Sequence, residues 1–175
     1  SWRAMAYSPD TEAFYIPLTL NCQRSTYIEV DQIEGGGNGG LGRRENLFHP
    51  DGGGNLGEFV AMSVTGEILW SQRKRTPYNS AALTTAGGLV FVGDWDRFVY
   101  AYDIETGESL WETRLPTSAQ GFPITYSVAG RQYVAVPAGT GSGSWATIPL
   151  QLTPEKRRPS SGGNGLFVFA LPEEP

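Results

Sequence analysis

Short apolar runs rich in Val, Ile, Phe, Tyr and Thr alternate with polar turns along most of the chain. The 23 glycines and 12 prolines separate these runs, and no long stretch keeps the 3.6-residue spacing of an amphipathic helix. Runs of this kind, bounded by turn residues, are typical of β-strands. The pattern therefore predicts an all-β fold of short antiparallel strands.

Three glycine-rich or polar stretches interrupt the strands and are expected to be surface loops. They are "GGGNGGLGRRENLFHPDGGGN" (35–55), "GTGSGSW" (139–145) and "PEKRRPSSGGNG" (154–165). Long loops are accordingly predicted at 35–55 and 140–165. A phosphate-binding glycine loop needs a strand before it and a helix after it. The sequence predicts no helix after these stretches, and so it does not predict a phosphate site.

An internal repeat joins "FVAMSVTGEILWSQR" (59–73) to "FVYAYDIETGESLWETR" (98–114). Its two tryptophans, Trp70 and Trp111, are 41 residues apart. That spacing lies in the range of about 40 to 45 residues for a four-stranded propeller blade. Residues 80–115 between them contain four candidate strands, and the repeat therefore predicts a β-propeller blade there.

The same frame predicts one blade on each side, at about 4–73 and 122–172. The last blade shows three strands, "FPITYSV", "RQYVAVPAG" and "LFVFALP", and lacks its outer strand. A closed propeller often completes such a blade with a strand from the other end of the chain. No such strand is visible, and so the chain is predicted to form the last three blades of a larger ring.

The repeat contains a tryptophan-docking motif of Ala101, Asp103, Gly107 and Trp111, with Trp70 as its upstream counterpart. Asp103 is expected to accept backbone hydrogen bonds in the turn, a structural role that is favoured over a catalytic one. Gly107 is expected to supply a positive φ. Trp111 is expected to bury about 150 to 250 Å² of ring against the next blade. Its removal should then cost about 3 to 5 kcal/mol.

Composition excludes several classes of function. With 13 basic and 18 acidic residues the net charge is -5, which argues against a nucleic-acid or anionic-membrane surface. No apolar run approaches the roughly 20 residues of a membrane span. The start at Ser1 is unlike a secretory leader, and so a processed chain or a piece of a longer one is expected. Single residues, Cys22 and His49, exclude an internal disulfide, a cysteine-based zinc site and a histidine metal cluster.

The carboxylates of "DWD", Asp94 and Asp96, could imitate a cation-binding loop, and Glu105 and Glu108 lie in another turn. Calcium takes about six to eight oxygen ligands, and two carboxylates cannot supply that many. A solvated turn is the favoured interpretation, and no metal site is predicted.

Five segments occur in the order found in one family. They are the motif at Ala101, Asp103, Thr106, Gly107 and Trp111, with "SWRAMAYSPDTEAFYIP", "TPYNSAALTTAGGLVFVGD", "GFPITYSVAGRQYVAV" and "GLFVFALP". Together they resemble the C-terminal part of pyrroloquinoline-quinone (PQQ) dependent alcohol dehydrogenases. The resemblance implies an eight-bladed propeller with PQQ and calcium at its axis, in the periplasm. It also implies oxidation of alcohols or sugars, with electrons passed to a cytochrome or membrane quinone.

The resemblance also implies that the family's calcium ligands, base, arginine and cysteine pair lie in earlier blades. No catalytic residue and no metal ligand is therefore expected in this chain. Ser1 stands where the family has a cofactor-contacting asparagine, and "PYNSA" replaces "PWNGG". Asn79, Trp2 and Tyr78 are the remaining candidate cofactor contacts, against core packing or strand-end capping as the alternative.

Three functions follow as hypotheses. The first is a segment of a quinoprotein dehydrogenase that is inactive without the remaining blades, which it is expected to contact, or else to self-associate. The second is a non-catalytic propeller scaffold that binds protein partners. The third is a carbohydrate-binding module with exposed Trp95 and Trp145 as stacking platforms. The order of the five segments favours the first.

Overall fold

The structure is a computed structural model that describes residues 3–31, 34–36, 40–139, 144–156 and 163–170, with only the backbone for 144–147. Thirteen strands and one α-helix, α1 (Ser144–Leu152), occur in this part of the chain. The strands are β1 (Ala6–Ser8), β2 (Ala13–Thr19), β3 (Asn21–Tyr27), β4 (Leu41–Phe48), β5 (Gly57–Ser63), β6 (Ile68–Lys74), β7 (Leu83–Thr84), β8 (Leu89–Gly93), β9 (Phe98–Asp103), β10 (Ser109–Arg114), β11 (Ile124–Val128), β12 (Arg131–Ala138) and β13 (Gly165–Ala170).

The strands form three main antiparallel sheets, which follow one another along the chain. The first has the order β1-β2-β5-β6, the second β7-β8-β9-β10, and the third β11-β12-β13. Each sheet is a meander in which sequence neighbours pair, apart from the insertion between β2 and β5. The prediction of an all-β propeller fold is confirmed for four-stranded blades, and the described residues do not form a closed ring.

Two predicted loops contain regular structure instead. Strand β4 lies inside 35–55 and pairs with β3 as a separate two-stranded sheet, followed by a short 3₁₀ turn at Pro50–Gly52. Helix α1 lies inside 140–165 and directly follows "GTGSG". The statement that no helix follows a glycine-rich stretch is therefore wrong. The helix escaped prediction because it has only nine residues and includes Pro149, which interrupts a helical pattern.

The core is divided between two inter-sheet interfaces, since each sheet presents alternate residues to opposite faces. In β9, Tyr100 joins the cluster between the first and second sheets, whereas Val99 joins the cluster between the second and third. The first cluster is the larger and contains the buried residues Ala13, Tyr15, Phe59, Ala61, Tyr78, Val90, Val92, Tyr100, Tyr102 and Ile104. The sheets therefore stack face to face, as blades do.

No helix among the described residues is both long and apolar enough to cross a membrane.

Candidate cofactor-facing site at the junction of three sheets

Asn79 lies where the chain enters the second sheet, and its side chain bonds to the segments that lead into the first and third sheets. Its carboxamide oxygen accepts a hydrogen bond from Arg3 Nη2 at 3.3 Å, and its Nδ2 donates to the Ala119 carbonyl at 2.9 Å. Its backbone N–H donates to the Gly93 carbonyl at 2.8 Å. Because both ends of the half-buried amide are held, its orientation is fixed.

Arg3 completes this junction from the side of the first sheet. Its guanidinium donates to the Thr19 hydroxyl at the end of β2 as well as to Asn79. Burial lowers the pKa of Arg3 to about 10, because desolvation disfavours the charged form. The side chain nevertheless stays protonated at neutral pH, and so a desolvated cation lies beside the amide.

Backbone contacts hold the three chain segments of the junction together. Ala81 N–H donates to the Gly121 carbonyl at 2.8 Å, and Ala82 N–H donates to the Ala4 carbonyl at 3.0 Å. A Cβ on Gly93 would overlap the Cβ of Ala119, and so this close approach requires glycine. The junction is therefore a packed feature of the fold.

Tyr78, the neighbour of Asn79, points in the opposite direction. Its side chain is fully buried between the first and second sheets and shares a hydrogen bond of 3.1 Å with the Tyr102 hydroxyl. Burial is the main reason why the pKa of Tyr78 lies well above its ordinary value, and the neighbouring tyrosines raise it further. Tyr78 as a cofactor contact therefore stays a prediction, on a side chain that is buried in this chain.

The turn with Asp94 and Asp96 is buried, contrary to the predicted solvated turn. Asp94 is 2% exposed and accepts hydrogen bonds from Phe98 N–H at 2.9 Å and from the Tyr100 hydroxyl at 2.8 Å. Burial raises its pKa to about 6, against the opposing effect of these two hydrogen bonds. Asp96 pairs with Arg114 at 3.4 Å and Lys156 at 3.1 Å. The partners of the Asp96 carboxylate are thus two positively charged side chains of this chain.

Nowhere in the described part of the chain do three or more His, Cys, Asp or Glu side chains gather as metal ligands do.

The turn between β9 and β10 receives Trp70 from the first sheet. Asp103 Oδ1 accepts hydrogen bonds from the N–H groups of Glu105 at 3.0 Å and Thr106 at 2.8 Å. Hydrogen bonding with Thr106 is the main reason why the pKa of Asp103 is lowered. Gly107 has φ of 72°, and a Cβ there would lie 2.6 Å from the indole of Trp70. The ring therefore packs directly on the glycine.

The sequence comparison with known families decides the relationship. The model for the PQQ family, described as "Glucose/ethanol/alcohol dehydrogenase, beta-propeller domain", matches residues 2–134. The chain belongs to this PQQ-dependent dehydrogenase family. The match includes Asn79, Arg3 and the Trp70-docking turn.

Individual relatives agree with this family. The chain is 33% identical over 175 residues to quinoprotein ethanol dehydrogenase of Pseudomonas aeruginosa, with 98% of the chain and 27% of the relative covered. It is 30% identical over 179 residues to 1-butanol dehydrogenase (cytochrome c) of Thauera butanivorans, with 98% of the chain and 25% of the relative covered. The chain thus spans about a quarter of the length of these relatives.

A solved structure shows the same arrangement of sheets. A europium-containing methanol dehydrogenase superposes with a TM-score of 0.80 at 28% identity, over 97% of this chain and 32% of that one.

The remaining predicted residues of the PQQ-family chain are placed as follows. Ala101 is buried in β9 opposite Trp111 of β10. Trp111 itself is 38% exposed and meets Phe169 edge to face at 5.2 Å, and so its full role as a fastener between blades stays a prediction. Trp2 lies outside the described residues.

Trp95 is 4% exposed, which contradicts its prediction as an exposed stacking platform for carbohydrate. The side chain of Trp145, the other predicted platform, lies outside the described part of the chain. The carbohydrate-binding hypothesis therefore loses Trp95, one of its two proposed platforms.

Sequence reasoning missed Arg3 as a member of the junction. A signal was available, because an arginine stands between Trp2 and a mainly apolar strand in "SWRAMAYS". What the sequence lacked was the long-range contact with Asn79, which lies 76 positions away.

Proposed function

We propose that this chain supplies one wall of the active site of a PQQ-dependent dehydrogenase that oxidises alcohols or sugars. The observation that carries the proposal is the match to the family model over residues 2–134, which include Asn79 and Arg3. The names of two relatives state ethanol and 1-butanol as substrates, which supports alcohols as the substrate class.

We propose that the three main sheets are consecutive blades, at 4–73, 80–115 and 122–172, of an eight-bladed ring. The outer face of the third sheet supports a further neighbour, since Ile124, Tyr126 and Val128 on β11 are exposed. Contiguous apolar surface of this kind marks a contact surface. The occupant in this proposal is the remainder of the propeller, and self-association of the chain is the alternative.

The junction residues fit an anionic quinone such as PQQ. A desolvated arginine and an oriented amide are suitable partners for carboxylate and carbonyl oxygens. When bound, PQQ supplies the quinone that takes up the two electrons of alcohol oxidation. In this proposal Arg3 contributes positive charge and Asn79 a fixed amide at the cofactor edge. Trp2, next to Arg3 in the sequence, is proposed as a further contact.

The donor set for a cation fits less well. Asp94 and Asp96 are occupied by a tyrosine, a backbone N–H and two cationic side chains. We therefore propose that the calcium ion, or a lanthanide as the name of the europium-containing relative suggests, is held by other parts of the complete enzyme. No catalytic residue is assigned to this chain.

For the electron acceptor we propose a cytochrome, in keeping with the name of the butanol-oxidising relative, with a quinone as the alternative. The proposed compartment is the periplasm.

The test is a chimera in which this chain replaces the matched 27% of the Pseudomonas aeruginosa ethanol dehydrogenase. We expect the chimera, supplied with PQQ and calcium, to reduce an electron-accepting dye with ethanol or another primary alcohol. The isolated chain should not reduce the dye, because three blades are fewer than the roughly four to eight that close a propeller.

The control compares two half-buried asparagines within the chimera. Asn79→Ala should weaken PQQ binding, measured by equilibrium dialysis, about tenfold, which corresponds to the loss of one oriented polar contact. Asn55→Ala should leave binding within about twofold on the same scale. A folded chimera that neither binds PQQ nor reduces the dye would overturn the proposal and favour a non-catalytic scaffold. Dye reduction by the isolated chain would equally contradict it.

A further inference from the structure

Residues 148–156, which follow β12 of the third sheet, extend to the first sheet and contact Arg75 there. Arg75 Nε donates to Glu155 Oε1 at 2.6 Å, and its Nη2 donates to the Leu152 carbonyl at 3.4 Å. The same guanidinium also donates to the Gly54 carbonyl in the insertion of the first sheet. One arginine therefore binds two chain segments that are about 100 residues apart in sequence.

A second contact connects the end of α1 with the β3–β4 hairpin. Asn46 Nδ2 donates to Gln151 Oε1 at 2.6 Å. The hairpin is also tied to Arg75, whose guanidinium lies 4.9 Å from the centre of the Phe48 ring. The two insertions, from the first and third sheets, thus meet through side chains on both sides of Arg75.

A third contact reaches the second sheet. Lys156 pairs with Asp96, the buried carboxylate of the β8–β9 turn. Between these contact points Thr153 is fully buried, and its hydroxyl donates to the Pro149 carbonyl at 2.7 Å. The segment is consequently anchored at both ends and packed in the middle.

This contact network lies at the end of the sheets that carries the Asn79 junction. Arg75 precedes Asn79 by four residues, and Trp95 N–H of the β8–β9 turn donates to the Pro77 carbonyl between them at 3.0 Å. The segment is therefore linked to the chain that leads into Asn79.

We propose that residues 148–156 form a strap that holds the first, second and third sheets together at the junction end, with Arg75 as the positioning residue that fixes it. A single exposed ion pair contributes little to stability and would not fix a segment. Arg75 differs because it also binds two carbonyl groups, and because the strap has independent contacts through Gln151, Thr153 and Lys156. This inference does not depend on the cofactor or on the activity.

Hydrogen–deuterium exchange on the purified chain tests the strap. The amides of Thr153 and Lys156, which donate within the strap to Pro149 and Thr153, report its opening. Arg75→Gln should speed exchange in peptides covering 148–156 about tenfold, because local opening no longer has to break the guanidinium contacts. Peptides from β8 and β9 should exchange within about twofold of the wild-type rate on the same basis.

Arg73→Gln is the matched control, since Arg73 pairs with Glu58 at 2.7 Å within the first sheet and has no contact with the strap among those described. Glu155→Gln removes only the partner carboxylate and should reproduce part of the effect even where Arg75→Gln fails to fold. Arg75→Lys should give intermediate protection, because it keeps the charge but not the planar fork of donors. Unchanged exchange in both Arg75→Gln and Glu155→Gln, or an equal increase in Arg73→Gln, would overturn the proposal.

Discussion

The interface between the first and second sheets and the interface between the second and third sheets both receive a tryptophan from an outer strand, but Trp70 is partly buried whereas Trp111 is exposed. Trp70 donates its indole N–H to the Ile104 carbonyl at 3.1 Å and packs on Gly107. It also contacts the rings of Phe59 and Tyr102, at 5.7 and 6.2 Å between centroids. Trp111 contacts Phe169 but stays 38% exposed.

The difference lies in what the tryptophan meets. Trp70 meets a turn whose Ile104 carbonyl also accepts from the Tyr15 hydroxyl at 3.0 Å, and whose Gly107 carbonyl accepts from Gln72 at 2.8 Å. In the third sheet, the position after β13 that would form such a turn lies outside the described residues. The repeat therefore identifies both tryptophans, whereas the described residues show a receiving turn only for Trp70.

The largest expected effect follows from removing Trp70. Trp70→Ala should lower the free energy of unfolding by about 3 to 5 kcal/mol, as other large aromatic truncations in packed cores do. Urea denaturation followed by circular dichroism measures this loss. A change of less than about 1 kcal/mol would contradict the enclosed interface.

Gly107→Ala tests the same contact from the opposite side. The new Cβ would lie 2.6 Å from the indole, in a backbone with φ of 72° that disfavours alanine. Gly66→Ala is the control, because Gly66 has φ of 91° with nothing within 4 Å of the added Cβ. Both substitutions strain the backbone, but only the one at Gly107 also clashes with Trp70. A clearly greater loss of unfolding free energy at Gly107 than at Gly66 therefore measures that clash.

Buried alternation and the tryptophan repeat made the main sheets predictable, but not everything around them. The β3–β4 hairpin escaped because its strands, "NCQRSTY" and "LGRRENLF", are polar on both faces and lack the apolar alternation of a strand on a core. Tyr78 was a candidate for the site because it stands where the family's "PWNGG" has a tryptophan, next to Asn79. Neighbouring residues in extended chain point to opposite faces, and register alone decides which faces the core.

Burial of charged side chains was the second limit on prediction. The turn at Asp94 and Asp96 has the composition of a solvated turn, but packing of the Pro77 segment and Lys156 against it removes it from water. Arg3 became part of the site only through contacts with Thr19 and Asn79. Such contacts depend on tertiary structure, which periodicity and spacing do not contain.

The third prediction concerns Asp94, which lies beside the tyrosines of the first interface. Because burial raises its pKa from 3.8 to about 6, folding favours the neutral carboxyl. Its stabilising contribution is complete below about pH 4 and is lost as the pH rises through about 6. The free energy of unfolding should consequently fall by about 2 to 3 kcal/mol across that window.

Urea denaturation at pH values from 4 to 8 measures this dependence. Asp94→Asn keeps the shape and an acceptor for Phe98 N–H but does not titrate, and so its stability should be nearly flat in that window. Lowered pKa values at Asp103 and Glu155 act in the opposite direction and at lower pH, which separates them from Asp94. An identical slope in the wild type and the Asn variant would assign the effect to other groups.

The smallest effect is expected at Trp111, and it tests the second interface directly. Because its ring is partly in solvent and meets Phe169 edge to face as its one ring contact among the described residues, Trp111→Ala should cost about 1 kcal/mol, far less than Trp70→Ala. If the chimera with the ethanol dehydrogenase places a receiving turn against Trp111, the same substitution there should cost several-fold more than in the isolated chain. The two measurements use one variant in two contexts, and their difference reports only the added contact. Equal losses in both contexts would show that Trp111 has no receiving turn in the assembled ring. The difference between the two interfaces would then be a property of the complete propeller and not of the isolated chain.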